Sequence, residues 1–342
     1  MSAQTAGPET LGHLSDEPPP SDPNSKKAKS ITGKSPMQIA LGRLLRDKIA
    51  VVCALIVLFF ILVAVFAGVI TDIFGVSTET RLASGYLDML GGALPLAEYG
   101  PPRGPFTWEA PFGLAPRSAD DNLAYWVYGC RTSLSIAGMA TLVASVTGIV
   151  LGLMAGFLGG LVDKIISFFT DLFLTIPFLL AALTMAPIIN ERFASSDNYG
   201  RIQFWNLVIV LSVFGWMGVC RLIRGEVLSL REREFVQAAR VLGMPTRRIL
   251  VKELLPNLAA PIVVAVSLML PAFVAAEAGL AFLGIGVTTI PSWGQTILKA
   301  VDFFETYPLY LWEPQIGIVA LVLALNLLGD AIRDALDPKT RR

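Results

Sequence analysis

The sequence predicts an all-α polytopic membrane protein with six transmembrane helices, from its composition, its long uncharged runs and the placement of its basic residues. Of 342 residues, 54% are hydrophobic and 16% charged, and the mean hydropathy is +0.62. That apolar surplus is too large for a soluble domain and must face lipid. Residues 49–70 carry no charge, and as a helix they span roughly 33 Å, enough to cross a bilayer core. This run is too long and too far along the chain for a cleaved signal peptide.

Five further candidate spans follow the first. They cover about 132–158, 165–189, 204–223, 258–284 and 314–332. Asp171 and Pro177 interrupt the third, and Pro271 and Glu277 interrupt the fifth. Both spans therefore need neighbouring helices that accommodate the freed backbone groups and shelter the carboxylates, which predicts a packed bundle.

The basic residues predict that both termini are cytoplasmic. Residues 26–48 carry seven lysines and arginines against one aspartate, and eight basic side chains follow the fourth span between 221 and 252. By contrast, 71–124 has three arginines against seven carboxylates. The positive-inside rule and an even number of spans thus give the same topology.

The chain divides into segments of different character. We expect a disordered cytoplasmic tail at 1–36, a basic segment and first span at 37–70, and an extracytoplasmic loop at 71–128. A five-helix core at 129–338 and a short cytoplasmic tail at 339–342 complete the chain. Residues 28–35 (AKSITGKS) only partly match a phosphate-binding loop, because Ala28 replaces its first glycine and Pro36 stands where a helix should begin. We therefore expect no nucleotide site in this chain.

Other reactive groups are sparse. The single histidine, His13, lies in the tail, and the three cysteines lack the spacing of metal ligands. Asp171 and Glu277 are the only carboxylates deep within predicted spans, so an intramembrane acid pair is the remaining enzymatic alternative. We expect no metal ligand and no cofactor in this chain, and nothing indicates nucleic acid as a partner.

The loop after the fourth span carries an ordered pattern at 231–256. As a helix over 231–243, it places Phe235, Ala238, Ala239 and Leu242 on one face. Gly243 is typical of a left-handed helix end, and a second helix is predicted from Pro245 to Pro256. Helices this short need a packing partner. Periodicity alone leaves two interpretations open: a helix on the membrane surface, or a docking element for a cytosolic protein.

The order of residues in this loop resembles the "EAA" signature of permease subunits in binding-protein-dependent ATP-binding-cassette importers. Gln237 stands where that signature often has Glu. Five blocks are similar to the C-type subunit of the dipeptide/oligopeptide/nickel permease family. They are EFVQAAR at 234–240, LPN at 255–257, EAGLAFLG at 277–284, PSWG at 291–294 and NLLGDAIRDALDP at 326–338.

The resemblance implies a type I importer permease fold in the inner (plasma) membrane, with di- or oligopeptides as the commonest cargo. It implies that ATP and Mg²⁺ bind to partner ATPase subunits, which this chain contacts through 231–256. The implied contact residues are Glu234, Gln237, Ala238, Ala239, Gly243, Leu255 and Pro256. The implied partners are two ATPase subunits, a second homologous permease subunit and an extracytoplasmic substrate-binding protein, all on a lipid bilayer.

Other motif residues have two open roles, lining the pathway or supporting the structure. They are Asp171, Glu277, Trp293, Asn326, Gly329, Asp330, Arg333 and Asp337. We expect Trp293 and Trp312 to lie in an outer aromatic belt. We expect the charged residues at 330–337 to tie the last span to 231–256. An importer permease, a gradient-driven carrier or channel and a membrane enzyme remain the competing function classes, and no internal repeat supports the carrier.

Overall fold

The computed structural model describes residues 41–79, 85–101, 104 and 106–336, all within one compact unit, 36–342. The helices, in chain order, are α1 (Lys48–Val65), α2 (Ala67–Phe74), α3 (Asn122–Leu158), α4 (Gly160–Thr175), α5 (Phe178–Arg192), α6 (Tyr199–Leu230), α7 (Glu234–Val241), α8 (246–257), α9 (Ala259–Leu280), α10 (Trp293–Ala300) and α11 (Pro308–Leu336). Two short strands, β1 (Leu87–Asp88) and β2 (Leu94–Pro95), pair antiparallel. The predicted tails at 1–36 and 339–342, and Asp337, lie outside the described residues.

The predicted spans correspond to long helices. Among the described residues, α1, α3, α6, α9 with its extension to Ile285, and α11 are each long and apolar enough to cross a membrane. A sixth span results if α4 and α5 count as one, although they are bent by 88° relative to each other. The bend lies at the predicted interruption, because Ile176 before Pro177 is extended.

The second span begins earlier than the predicted 132. Asp121 caps α3 by accepting a hydrogen bond from the Ala124 amide at 3.1 Å, so the helix starts at Asn122. With α2 ending at Phe74, the connection between the first two spans covers 75–121, shorter at both ends than the predicted 71–128.

Pro271, which interrupts the apolar run of the fifth predicted span, does not break the helix, because α9 continues through this residue. Pro271 removes only the hydrogen bond to the Ser267 carbonyl. Gly329 of α11 lies beside that carbonyl, so that a β-carbon there would be 3.6 Å from the Ser267 oxygen. The glycine thus lets α11 approach α9 closely at the position of the freed carbonyl. The backbone departs from helical geometry later, at Gly284, where φ is +85°.

The closest helix pair is α3 with α6. Gly148, Gly152 and Gly156 of α3 face α6 so closely that an added β-carbon would lie 2.7 Å from its nearest atom at each position. Small residues at this spacing let two backbones approach, which favours dispersion contacts between membrane helices. Helices α3 and α6 therefore form a frame on which the other elements pack.

A second layer joins α1, α9, α10 and α11 to this frame. Its centre is an aromatic cluster of Phe60, Trp126 and Trp293, whose ring centroids are 5.7 to 6.1 Å apart. The connection 75–121 packs on α10 and α11 rather than forming a domain. Leu94 and Ala115 share a cluster with residues near 300–310, and the Tyr307 hydroxyl donates to the Pro101 carbonyl at 2.8 Å.

We predict opposite effects for two glycine-to-alanine changes in α3. Gly152→Ala should lower the melting temperature, because its β-carbon would meet the Cys220 carbonyl at 2.7 Å and overpacking costs about 1–3 kcal/mol. Gly138→Ala should leave it unchanged or raised, because that position is open and alanine favours helix by about 1 kcal/mol. Thermal unfolding of both variants in the same mild detergent is the measurement. Equal changes in melting temperature would contradict the close packing of α3 on α6 at Gly152.

Candidate functional site

Helix α7 begins three residues after the point predicted for the charged loop. Arg233 is extended and Glu234 is the first helical residue, so the helix covers Glu234–Val241 rather than 231–243. Its first turn is stabilised by Glu234, whose negative charge suits a helix N-terminus. The Arg231 carbonyl also accepts a bond from the Gln237 side chain at 3.1 Å. These contacts tie α7 to the end of α6.

Gly243 ends α7 as predicted. Its φ is +73°, and its amide donates to the Arg240 carbonyl at 3.0 Å while the Met244 amide donates to the Ala239 carbonyl at 3.0 Å. This is the pair of bonds of a Schellman motif, which needs a left-handed residue at this position. Pro245 is extended and immediately precedes α8, which begins at Thr246. The turn between the two helices is thus fixed by its own hydrogen bonds.

Helix α8 continues past its predicted end at Pro256, to Asn257. It comprises Thr246–Arg248, a π-helical part Ile249–Leu254 and Leu255–Asn257. A proline ring clashes with the carbonyl four residues earlier, and a wider π-turn relieves that clash. We attribute the passage of the helix through Pro256 to this widening.

The face of 231–256 that packs on the bundle differs from the prediction. Val236 and Ala239 of α7 are buried, with Ile249, Leu254 and Leu258. These side chains form one apolar cluster with Phe157, Val219, Ile223 and Val227 at the ends of α3 and α6. Of the predicted face only Ala239 belongs to it. Because both helices contribute to the packing surface, the periodicity of α7 alone could not locate it.

The opposite side of the segment is exposed and apolar at its turn. Val241 and Leu242 are 87% and 82% exposed, and Phe235 is 38% exposed. Glu234, Gln237, Ala238, Gly243 and Pro256 are exposed and Leu255 is half-buried. We call Val241, Leu242 and Gly243 the apical turn. Surrounding basic residues, including Arg247 and Arg248, are also exposed. The turn therefore presents a small apolar surface within a basic rim.

The two deep carboxylates lie in different environments. Glu277 is fully buried beside Ser133 and Ser292, although neither of its oxygens has a well-aligned hydrogen bond. Asp171, expected to be sheltered by neighbouring helices, has a largely exposed side chain and pairs with Arg221 at 2.5 Å. A charged pair of this kind must face water or another protein chain at membrane depth.

The described part of the motif at the end of the last span lies next to α9 and to the residues before α1. Gly329 is buried against α9, while Asn326, Asp330 and Arg333 are exposed. The end of α11 shares a cavity with Arg43 and other residues before α1. Helix α11 packs chiefly on α1, α9 and α10. The expected tie through the charged residues at 330–337 stays a prediction.

Trp293 is a core residue rather than part of an aromatic belt. Its side chain is fully buried, and its indole N–H donates to the Trp126 carbonyl at 2.9 Å. Gly129 and Gly317 provide the space, since an added β-carbon on either would lie 2.9 or 3.2 Å from the indole. Trp312 is 45% exposed, as an interfacial residue would be.

Sequence reasoning missed an ion pair between α4 and α6. Arg224 binds Asp163 with two hydrogen bonds, at 2.5 and 2.9 Å, and Ser167 donates a third at 3.2 Å. Both charged residues fall one or two positions outside the predicted spans and were assigned to loops. Opposite charges facing each other just beyond two predicted spans are the signal that could have found the pair.

Within residues 41–79, 85–101, 104 and 106–336, no three His, Cys, Asp or Glu side chains lie close enough together to hold a metal ion. Cys53, Cys130 and Cys220 are buried and free.

Two family models match the sequence. The model described as binding-protein-dependent transport system inner membrane component matches 148–342. The model described as the N-terminal TM domain of oligopeptide transport permease C matches 35–81. The first match includes 231–256, α9 and α11, and the second includes α1.

Curated relatives are similar over nearly the whole chain. The dipeptide transport system permease protein DppC of Alkalihalophilus pseudofirmus is 32% identical, over 95% of this chain and 94% of the relative. The oligopeptide transport system permease protein OppC of Bacillus subtilis is 29% identical, over 94% and 97%. A chain of the MetNI methionine ABC transporter, in an inward-facing conformation, aligns with a TM-score of 0.50 at 19% identity, over 62% of this chain and 96% of that one. That likeness supports the fold alone.

We predict that Trp293→Ala will destabilise the protein far more than Trp312→Ala. Removing a buried tryptophan typically costs about 3–5 kcal/mol, whereas a surface change costs about 0.5 kcal/mol or less. Thermal unfolding in detergent is the measurement. A larger loss at Trp312 would place Trp293 outside the core.

Proposed function

We propose, from the premise that this chain belongs to the family of binding-protein-dependent transport system inner membrane components, that it couples transport to separate ATPase subunits through 231–256. The family and the relatives establish a multi-pass inner-membrane permease of the dipeptide and oligopeptide transport type. What we add concerns how the chain is driven, what it assembles with and what it carries.

The observation that carries the proposal is the contrast between the two sides of 231–256. One side is fixed to the ends of α3 and α6 through Val236, Ala239 and Ile249. On the other side, Val241 and Leu242 are exposed, and no side chain of the described residues covers them. A segment that transmits force needs a firm attachment at one side and a contact surface at the other. Side chains as exposed as these two favour contact with another protein.

The competing location, flat on the membrane surface, fits the packing less well. A surface helix inserts an apolar face along its length into the lipid. Here the apolar side chains Val236 and Ala239 are already buried against the bundle. The most exposed large apolar side chains, Val241 and Leu242, lie at the turn, while Phe235 and Val251 are exposed to 38% and 55%. The basic rim of Arg247 and Arg248 would suit an acidic edge on a docking partner.

In this proposal, ATP is hydrolysed by other subunits of the importer and not by this chain. Nucleotide and Mg²⁺ bind to two partner ATPase subunits, and a second homologous permease completes the pathway. An extracytoplasmic protein delivers di- or oligopeptides. Both termini and 231–256 then face the cytoplasm, as the basic residues of the sequence favour. Differential binding of the ATPase subunits to two states of the bundle would drive the exchange between them.

The first test changes the apical turn. In the double variant Val241→Ser/Leu242→Ser, the ATPase subunits should no longer copurify in mild detergent, while the melting temperature stays unchanged because both side chains are exposed. Val236→Ser is the matched control: it buries a hydroxyl in the apolar cluster and should lower the melting temperature. Undiminished copurification with the double variant would contradict docking at the turn, and peptide uptake that needs no ATP would favour a gradient-driven carrier.

A second test uses Gly243. We expect Gly243→Asp to abolish peptide uptake while the protein still accumulates in the membrane, because the left-handed turn tolerates Asp but the apolar contact does not tolerate its charge. Gly243→Asn, which suits the same backbone without a charge, should retain most uptake. Uptake assays with membrane-fraction immunoblots provide the measurement. Normal uptake by the Asp variant would argue strongly against the proposed contact.

A further inference from the structure

Helix α4 is attached to the frame differently from every other spanning element of the described chain. Of its sixteen residues, only Thr170 is buried. Between α4 and α6 lies a cavity of about 520 Å³, lined by Thr170, Cys220 and the facing charged residues. The contact with α6 is thus sparse, in contrast to the close packing of α3 on α6. Besides these polar and charged groups it includes Phe173 of α4, whose ring centroid lies 5.9 Å from that of Phe214 and 6.5 Å from that of Trp216.

Both ends of α4 are places where the backbone changes direction. Gly159 and Gly160 precede the helix with φ of +67° and +57°. Only glycine readily adopts positive φ angles at two successive positions. The 88° bend at 176–177 follows the helix. Helix α4 is therefore a short rigid element between two hinge points, and hinges of this kind absorb backbone rotation when a helix moves.

Two ion pairs connect α4 to α6, and they differ in exposure. The Asp163–Arg224 pair is bidentate, with side chains 22% and 35% exposed. The Asp171–Arg221 pair makes one contact, with side chains 65% and 56% exposed. Bidentate guanidinium–carboxylate bonds are strong and directional, while exposed single contacts contribute little. Asp163–Arg224 is thus the principal polar attachment of α4.

This attachment lies beside the start of 231–256. Arg231, the residue that ends α6, donates from its guanidinium to the Gly156 carbonyl at 3.2 Å. A β-carbon on Gly159 would lie 3.7 Å from the same nitrogen. Arg224, Arg231 and the glycine hinge therefore meet where α3, α4 and α6 converge.

We propose that Asp163 and Arg224 are positioning residues for transport: when 231–256 is displaced together with the end of α6, their ion pair makes α4 move with that end, relative to the middle of α3. A displaced segment carries the end of α6 with it. The bidentate pair passes that displacement to α4, which turns about Gly159–Gly160 and the bend at 176–177. This inference rests on the proposed function, because it requires a partner that moves 231–256.

The test measures the position of α4 directly, in the complete complex with its copurified ATPase. Spin labels on cysteines replacing Phe168, in the middle of α4 between the two hinges, and Leu142 of α3 report their distance by pulsed electron resonance, since both positions are exposed and the native cysteines are buried. A non-hydrolysable ATP analogue should shift this distance in the otherwise unchanged complex. Asp163→Asn should lose the shift, and the charge swap Asp163→Arg/Arg224→Asp should restore it. A purely structural role would not move this readout with nucleotide.

Asp171→Asn is the matched control and should keep the shift, because its pair is exposed. ATPase copurification and hydrolysis are followed in every variant. An Asp163→Asn complex that retains ATPase and still shows the full shift would overturn this inference and leave the proposed function intact. Loss of the shift in Asp171→Asn as well, or no shift in the unchanged complex, would overturn it too. Absence of any ATPase from the unchanged preparation would overturn both.

Discussion

The close approach of α3 and α6 is the contact on which the rest of the molecule depends. Three glycines one helical turn apart let the two backbones meet, where any β-carbon would collide with carbonyls or branched side chains. In lipid the hydrophobic effect does not drive helices together, so such intimate packing supplies much of the attraction. Both helices are also longer than the bilayer core, which is about 30 Å thick. With 37 and 32 residues they span roughly 55 and 48 Å.

That excess length explains why 231–256 is ordered. The ends of α3 and α6 project beyond the membrane and offer Phe157, Ile223 and Val227 as a platform. Helices α7 and α8, too short to be stable alone, bury their apolar side chains on this platform. The Schellman motif at Gly243 then fixes the angle between them. A stiff projection results, built on the most closely packed helix pair of the bundle. Helix α4 is attached to α6 at one edge by two ion pairs and by the contacts of Phe173 with Phe214 and Trp216.

The sequence predicted most of this architecture because its signals are local. Uncharged runs located the spans, and Gly243 with Pro245 located the turn, since each residue restricts its own backbone. Features that depend on distant partners were missed or wrong. The buried face of α7 is set by Ile249 and Leu254 of the next helix, and Trp293 is buried because Gly129 and Gly317 of two other helices make room for it. The Asp163–Arg224 ion pair was not predicted, because each residue lies just outside a predicted span, where a charged residue is expected in a loop. The assignment of contact residues in 231–256 to an ATPase is still a prediction.

Imaging the complete importer by electron cryomicroscopy, purified in mild detergent from its native membrane, tests the central claim most directly. We expect density for 231–256 seated in a groove of a soluble ATPase subunit, with Leu242 covered by that subunit and Val236 still packed on α3 and α6. A map in which these residues lie along the detergent or lipid boundary and touch no second protein would contradict the account.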